Sequence, residues 1–162
     1  VIARGPGLWL AVDPGGVTGW VLFRPVVDTT QLANVGLEIA DWGEQPNHLR
    51  FMDFAMQCTN ARLPSERISG IVIEGWWPRE GVRTWQPEAV EVIGFCRWLM
   101  DGEPGRFYVQ KPSEREWSTP EKIRRYRENR DRPNNVGKGG EGHAVQALRH
   151  ALLWASTRWR PE

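Results

Sequence analysis

The hydrophobic pattern switches repeatedly between strand-like and helix-like spacing along the chain. "LWLAVD" (8–13) is a continuous apolar run of strand length, as expected of a strand covered on both faces. Pro-Gly-Gly then turns the chain, and "VTGWVLF" (17–23) returns as a second strand, which predicts an antiparallel hairpin. "LEIADWGE" (37–44) reads as a third strand after a polar loop. In "NHLRFMDFAMQCTNARL" (47–63), Leu49, Met52, Phe54, Met56 and Leu63 recur at roughly helical spacing between Pro46 and Pro64. "GIVIEG" (70–75) reads as a short, wholly buried strand. "QPEAVEVIGFCRWLM" (86–100) is the clearest helix, with Pro87 tolerated in its first turn and Val90, Ile93, Cys96 with Arg97, and Met100 marking one stripe. "RFYVQ" (106–110) is a fifth strand, "STPEKIRRYRENR" (118–130) opens with a helix-start signal, "RPNNVGKGGEG" (132–142) is too rich in breakers for regular structure, and "HAVQALRHALLWASTRW" (143–159) closes as a helix.

The order β-β-β-α-β-α-β-α-α predicts an α/β fold. Its mixed five-stranded sheet has three antiparallel strands followed by parallel crossovers, and helices flank the sheet. A chain of 162 residues suits one domain, 1–162, with a basic helix and a Gly-rich loop at about 113–142. Residues 1–7 do not resemble a signal peptide, and no apolar run approaches the roughly 20 residues that span a bilayer, so no membrane association is expected. Cys58 and Cys96 form neither a disulfide framework nor a zinc pattern, and read as reduced thiols of a cytoplasmic protein.

Charge adds a direction. The net charge is only +1, but residues 1–105 carry 8 Lys/Arg against 13 Asp/Glu, and residues 106–162 carry 13 against 7. A basic second half suits a polyanion, although a solvated helix surface would look the same. The ten tryptophans are mostly expected as core or interface anchors.

Two acids, Asp13 and Glu74, each end an apolar strand and precede glycine or Pro-Gly ("VDPGG", "IEGWW"). If those strands are parallel neighbours, both carboxylates emerge at the carboxyl edge, where open α/β sheets bind ligands. Paired carboxylates repel unless one is protonated or a cation lies between them, and oxygen ligands favour Mg²⁺ or Mn²⁺. Each acid taken alone is equally a strand-end cap. On the last helix His143, Gln146, Ala147 and His150 share one face, and Glu141 precedes it by one glycine.

In order, spacing and context, "LAVDPGGVTGW", "IVIEGWW" and "GEGHAVQALRHALLW" resemble the RuvC-like Holliday junction resolvases, particularly their short phage forms, within the RNase H-like nuclease superfamily. The resemblance implies a two-metal endodeoxyribonuclease, with Mg²⁺ or Mn²⁺, two ions per active site. Asp13 would bridge the ions, Glu74 would bind one, and the last helix would supply the rest through His143, Gln146 and Glu141. It further implies a homodimer that nicks branched DNA such as a four-way junction, in a bacterial host's cytoplasm if phage-encoded. One departure stands out: the family usually has an aspartate three residues after the position of His143, where this chain has Gln146. That leaves two alternatives of the same fold, a catalytically weak or silent binder of branched DNA and a nuclease acting on flaps or RNA–DNA hybrids. A sugar-kinase or actin-like ATPase opens with the similar Asp-x-Gly-x-Thr, but it needs a second lobe that 162 residues leave no room for.

The DNA-facing residues expected from this reading are Trp76 and Trp77, which could stack on an unpaired base, and Arg79 and Arg83 beyond them. Lys111 at the end of the fifth strand, Lys122, Arg124 and Arg125 in the basic helix, and Lys138 in the glycine loop would meet phosphates. The apolar helix 86–100, with Trp98 near its end, is the candidate dimer face.

Overall fold

The computed structural model of the chain describes residues 2–5, 7–28, 35–76, 86–111 and 142–160. One mixed sheet contains β1 (Ile2–Arg4), β2 (Leu8–Asp13), β3 (Thr18–Asp28), β4 (Val35–Gln45), β5 (Ile68–Glu74) and β6 (Phe107–Gln110). Among the described residues, three α-helices flank it: α1 (His48–Thr59), α2 (Pro87–Leu99) and α3 (Gly142–Thr157). β2 is central, antiparallel to β3 and parallel to β5, with β6 parallel to β5 at the far edge. β3 also pairs antiparallel with β4 and with the short β1. The mixed architecture is the one the apolar pattern predicts. β1 is an addition, too short to carry a pattern of its own. The predicted basic helix 118–130 and residues 132–141 of the predicted glycine loop lie outside the described residues, and Gly142, placed at the loop's end, opens α3.

β3 runs five residues past the predicted end at Phe23, through Pro25. Proline removes a ladder donor and normally stops a central strand. Here the carbonyl of Pro25 accepts from Gly5 N at 2.8 Å, so its backbone faces the break between β1 and β2. The missing N–H therefore falls where the neighbouring strand is interrupted.

α3 covers one face of the sheet, and α1 and α2 cover the other. Between α3 and the sheet lie Trp9, Ala11, Val21, Phe23 and Val72 with Leu148 and Trp154. The opposite core joins Leu10, Val12, Trp20, Ile71 and Ile73 to Phe51, Ala55, Val92 and Cys96. Two helix faces differ from the sequence expectation. In α1 the wholly buried residues are Phe51 and Ala55, whereas Leu49 is 62% exposed and Leu63 lies beyond the helix, which ends at Thr59. In α2 Cys96 and the capping Met100 are buried as the stripe predicts, but its first half is shifted by one position: Ala89 and Val92 are buried in place of Val90 and Ile93, and Val90 is 42% exposed. In both helices alanine occupies the tight contact, and hydrophobic size alone does not mark it.

α3 reaches the sheet closely because its inner face is built from small residues. Ala144, Ala147, Ala151 and Ala155 are fully buried. The closest approach is at Gly19 of β3, where an added Cβ would stand 2.1 Å from the backbone carbonyl of His143 and 2.6 Å from Ala144 N. Neither atom can move without shifting the helix. Gly19→Ala is therefore expected to cost about 1–3 kcal/mol of stability by overpacking. Urea unfolding checks this, and an unchanged midpoint would show that α3 does not seat on β3 here.

Candidate active site

The pairing registers set five residues in a row across the sheet. Asp13 of β2 faces Gly19 of β3, and Gly19 faces Glu44 of β4. In the other direction, one step beyond the Val12–Ile73 pair, Asp13 stands beside Glu74 of β5, which faces Gln110 of β6. All five lie on the face that α3 covers, and the row sits at the carboxyl ends of the three parallel strands.

α3 lies across this row and contacts it at two points. In its first turn, Glu44 accepts from His143 N at 3.0 Å and from Ala144 N at 3.4 Å. A buried acid thus satisfies two of the donors that a helix start leaves unpaired, where the helix dipole favours negative charge. His143 Nδ1 lies 2.7 Å from Asp13 Oδ2. Seven residues on, His150 is wholly buried, with Nε2 2.7 Å from Glu74 Oε2 and Nδ1 2.7 Å from the side-chain amide of Gln110. Each acid of the central strands therefore meets one histidine of α3.

Asp13, Glu74, His143, Gln146 and Trp76 line one open cavity of about 650 Å³, floored by the turn Pro14–Val17. Thr18 Oγ1 donates to Gly15 O at 3.0 Å and pins that turn. Burial raises the Asp13 pKa, the hydrogen bond from His143 opposes the rise, and the charge of Glu74 adds to it. The His143 pKa is also raised, mainly by its hydrogen bond to Asp13. The pair holds its proton more tightly than free side chains would.

Among the described residues, no three His, Cys, Asp or Glu side chains converge as a closed metal cage requires. The cavity does offer a partial oxygen set. Besides the two carboxylates, Gln146 lines the cavity, and its Oε1, folded beneath the surface, makes no hydrogen bond among the described residues. Buried carbonyl oxygens are rarely left unpaired. An open site of one or two carboxylates and an amide oxygen fits Mg²⁺, which keeps several waters and completes its shell with substrate phosphate.

The other expected residues are spread more widely. Lys111 follows β6 at the same edge but lines a second groove with Tyr108 and Arg158. Glu141, Trp77, Arg79, Arg83, Lys122, Arg124, Arg125 and Lys138 lie outside the described residues. Sequence reasoning missed Glu44 and Gln110, and left His150 without a partner. Glu44 also closes its predicted strand, but it precedes Gln-Pro in place of glycine and ends a run of mixed polarity. Gln110 ends its strand with a neutral amide and gives no acid signal.

Neither a protein-family model nor a curated protein matches this sequence. Solved structures do resemble the fold. A Thermus thermophilus RuvC structure matches with a TM-score of 0.65 at 12% identity, over 92% of this chain and 93% of that one. T. thermophilus RuvC in complex with Holliday junction substrate matches with a TM-score of 0.56 at 14% identity, with the same coverage. The chain has a RuvC-like, RNase H-like α/β fold.

The His143–Asp13 pair makes stability depend on pH. The folded state holds the His143 proton to higher pH than the unfolded chain, whose histidine titrates near 6.5. The pair's contribution is therefore fully present below that value and is lost as pH rises through the raised one. In metal-free protein, Tm should fall over this range, and Asp13→Asn should flatten the slope. A wild-type Tm that rises across the same window would show that the pair does not bind a proton as described.

Proposed function

We propose that this chain is a metal-dependent endonuclease of the RuvC type that nicks phosphodiester bonds in branched DNA. The observation that carries the reading is the convergence of Asp13 and Glu74, from adjacent parallel strands, on a cavity that Gln146 also lines. The fold likeness to a RuvC bound to Holliday junction substrate supports the same substrate class here.

Asp13 and Glu74 would hold Mg²⁺ or Mn²⁺, two ions in the full site, with Gln146 contributing a neutral oxygen and Glu141 a further carboxylate. When bound, the ions supply an activated water and charge stabilisation at phosphorus. The chain's own residues bind and orient. Burial strips water from Asp13, which raises the attraction of its carboxylate for a cation. His143, half exposed at the cavity, holds its proton more tightly than a free histidine because of its hydrogen bond to Asp13, and could deliver that proton to a departing oxygen. Trp76 stands two residues beyond Glu74 on the cavity wall, placed to stack on an unpaired base, worth roughly 1–3 kcal/mol. The basic residues of the second half would follow the phosphate backbone, which makes affinity fall steeply with salt.

A homodimer would present two such sites to a symmetric junction. α2 is the proposed face: Trp98 is 64% exposed and lies against Phe95 in a tilted contact, with the ring centroids 5.8 Å apart. Free thiols at Cys58 and Cys96 suit a cytoplasmic site of action, the host cytoplasm for a phage protein. Gln146 favours one second reading, a branched-DNA binder of the same fold that cuts slowly or not at all.

Incubation of a labelled four-way junction with Mg²⁺ or Mn²⁺ separates the two readings. Nicking that is abolished by Asp13→Asn or Glu74→Gln is expected. Gln146→Asp should raise the Mg²⁺-dependent rate by adding a charged oxygen at the same place. Tight junction binding without nicks in either metal selects the binder, and cleavage of flaps or hybrids in preference to junctions changes the substrate class.

A further inference from the structure

His150 is an expensive residue to bury. It is wholly enclosed, yet both ring nitrogens are engaged, one by Glu74 and one by Gln110. An ionised Glu74, the form that holds a cation, only accepts, and His150 Nε2 then carries the proton between them. The state of Nδ1 then depends on which end of the Gln110 amide faces it. With the amide oxygen inward, the ring would need both protons and become an imidazolium. With the amide nitrogen inward, Gln110 donates to Nδ1 at 2.7 Å and to the His150 carbonyl at 3.2 Å, and its oxygen accepts from Trp154 N at 3.3 Å. Only this second orientation satisfies every atom of a buried amide, and satisfaction assigns such orientations.

The geometry points to Gln110 and His150 as a positioning pair for Glu74: a neutral imidazole, its tautomer set by the Gln110 amide, donates Nε2–H to the carboxylate and aims it at the cation site. The inference rests on reading Glu74 as a cation ligand, and goes beyond it by giving two further residues a defined role. A neutral donor fixes the carboxylate's direction and leaves its negative charge available. An imidazolium in the same place would cancel that charge and repel the ion. Partners of this kind, which orient a ligand without touching the metal, typically change metal affinity by roughly ten- to a hundredfold when removed.

Two measurements test the pair on full-length protein. The first is a long-range ¹H–¹⁵N spectrum of metal-free, histidine-labelled protein, with His150 assigned by its loss in His150→Gln. One bare nitrogen at δ1 and one protonated nitrogen at ε2 are expected. Two protonated nitrogens, or a proton on δ1 alone, overturn the proposal. The second is calorimetric titration with Mn²⁺ alone. His150→Gln keeps an amide N–H toward Glu74 and should bind within a few-fold of wild type. His150→Leu removes the donor. Gln110→Glu puts an acceptor against Nδ1 and draws a second proton onto the ring. Both should lose roughly ten- to a hundredfold in affinity. If His150→Leu does not fold by circular dichroism, the near-isosteric Gln110→Glu decides. Wild-type affinity in the variants that fold, apart from His150→Gln, overturns the pair alone. Wild-type protein that takes up no Mn²⁺ overturns the cation reading and the role of the pair with it.

Discussion

The first turn of α3 can sit where it does only because β3 presents no side chain at Gly19. That contact sets the height of the helix above the sheet, and the other contacts of the site inherit it. With the His143 carbonyl pressed to the strand, Glu44 on one side reaches the helix's free N–H groups and Asp13 on the other reaches the imidazole. The alanines at 144, 147, 151 and 155 hold the rest of the helix at the same distance, so that His150 enters the sheet surface between Glu74 and Gln110. A methyl group at residue 19 would act on all of these at once.

The electrostatics follow from that closeness. Three acids, Glu44, Asp13 and Glu74, point to one face under a single helix, where mutual repulsion and lost hydration both act against their charge. Each is answered differently. Glu44 is held by backbone amides at the positive end of a helix and is spent on structure. Asp13 shares a proton with a half-exposed histidine, a partner that a cation could displace. Glu74 is held by a buried histidine that has nowhere else to go. The pair lining the cavity therefore combines one acid whose partner is exchangeable with one whose partner is fixed.

Much of this was legible in the residues. Apolar runs closed by an acid and a glycine located Asp13 and Glu74, and the element order gave the mixed sheet, because burial on both faces leaves a strong one-dimensional signal. What stayed hidden depended on registers between distant strands. Nothing near Glu44 or Gln110 states that Gly19 or Glu74 will face them, and His150 looks like any polar residue in an apolar helix until its two partners are known. Leu49 and Val90 misled for a related reason. They are large and at helical spacing, while the contacts that matter in α1 and α2 are made by Ala55 and Ala89, whose smallness is their fitness for the site.

The Asp13–His143 contact joins residues 130 positions apart, and the Glu74–His150 contact joins residues 76 apart. Both acids come from strands made early, and both histidines from a helix made late. At ordinary rates of synthesis the interval between Asp13 and His150 is on the order of ten seconds. Through that time the strand-end carboxylates have no helix above them, no enclosed cavity and no fixed direction. The nascent chain thus carries its acids in an unassembled form while it is still being translated, and a DNA-cutting centre of the proposed kind would come into being only as α3 docks.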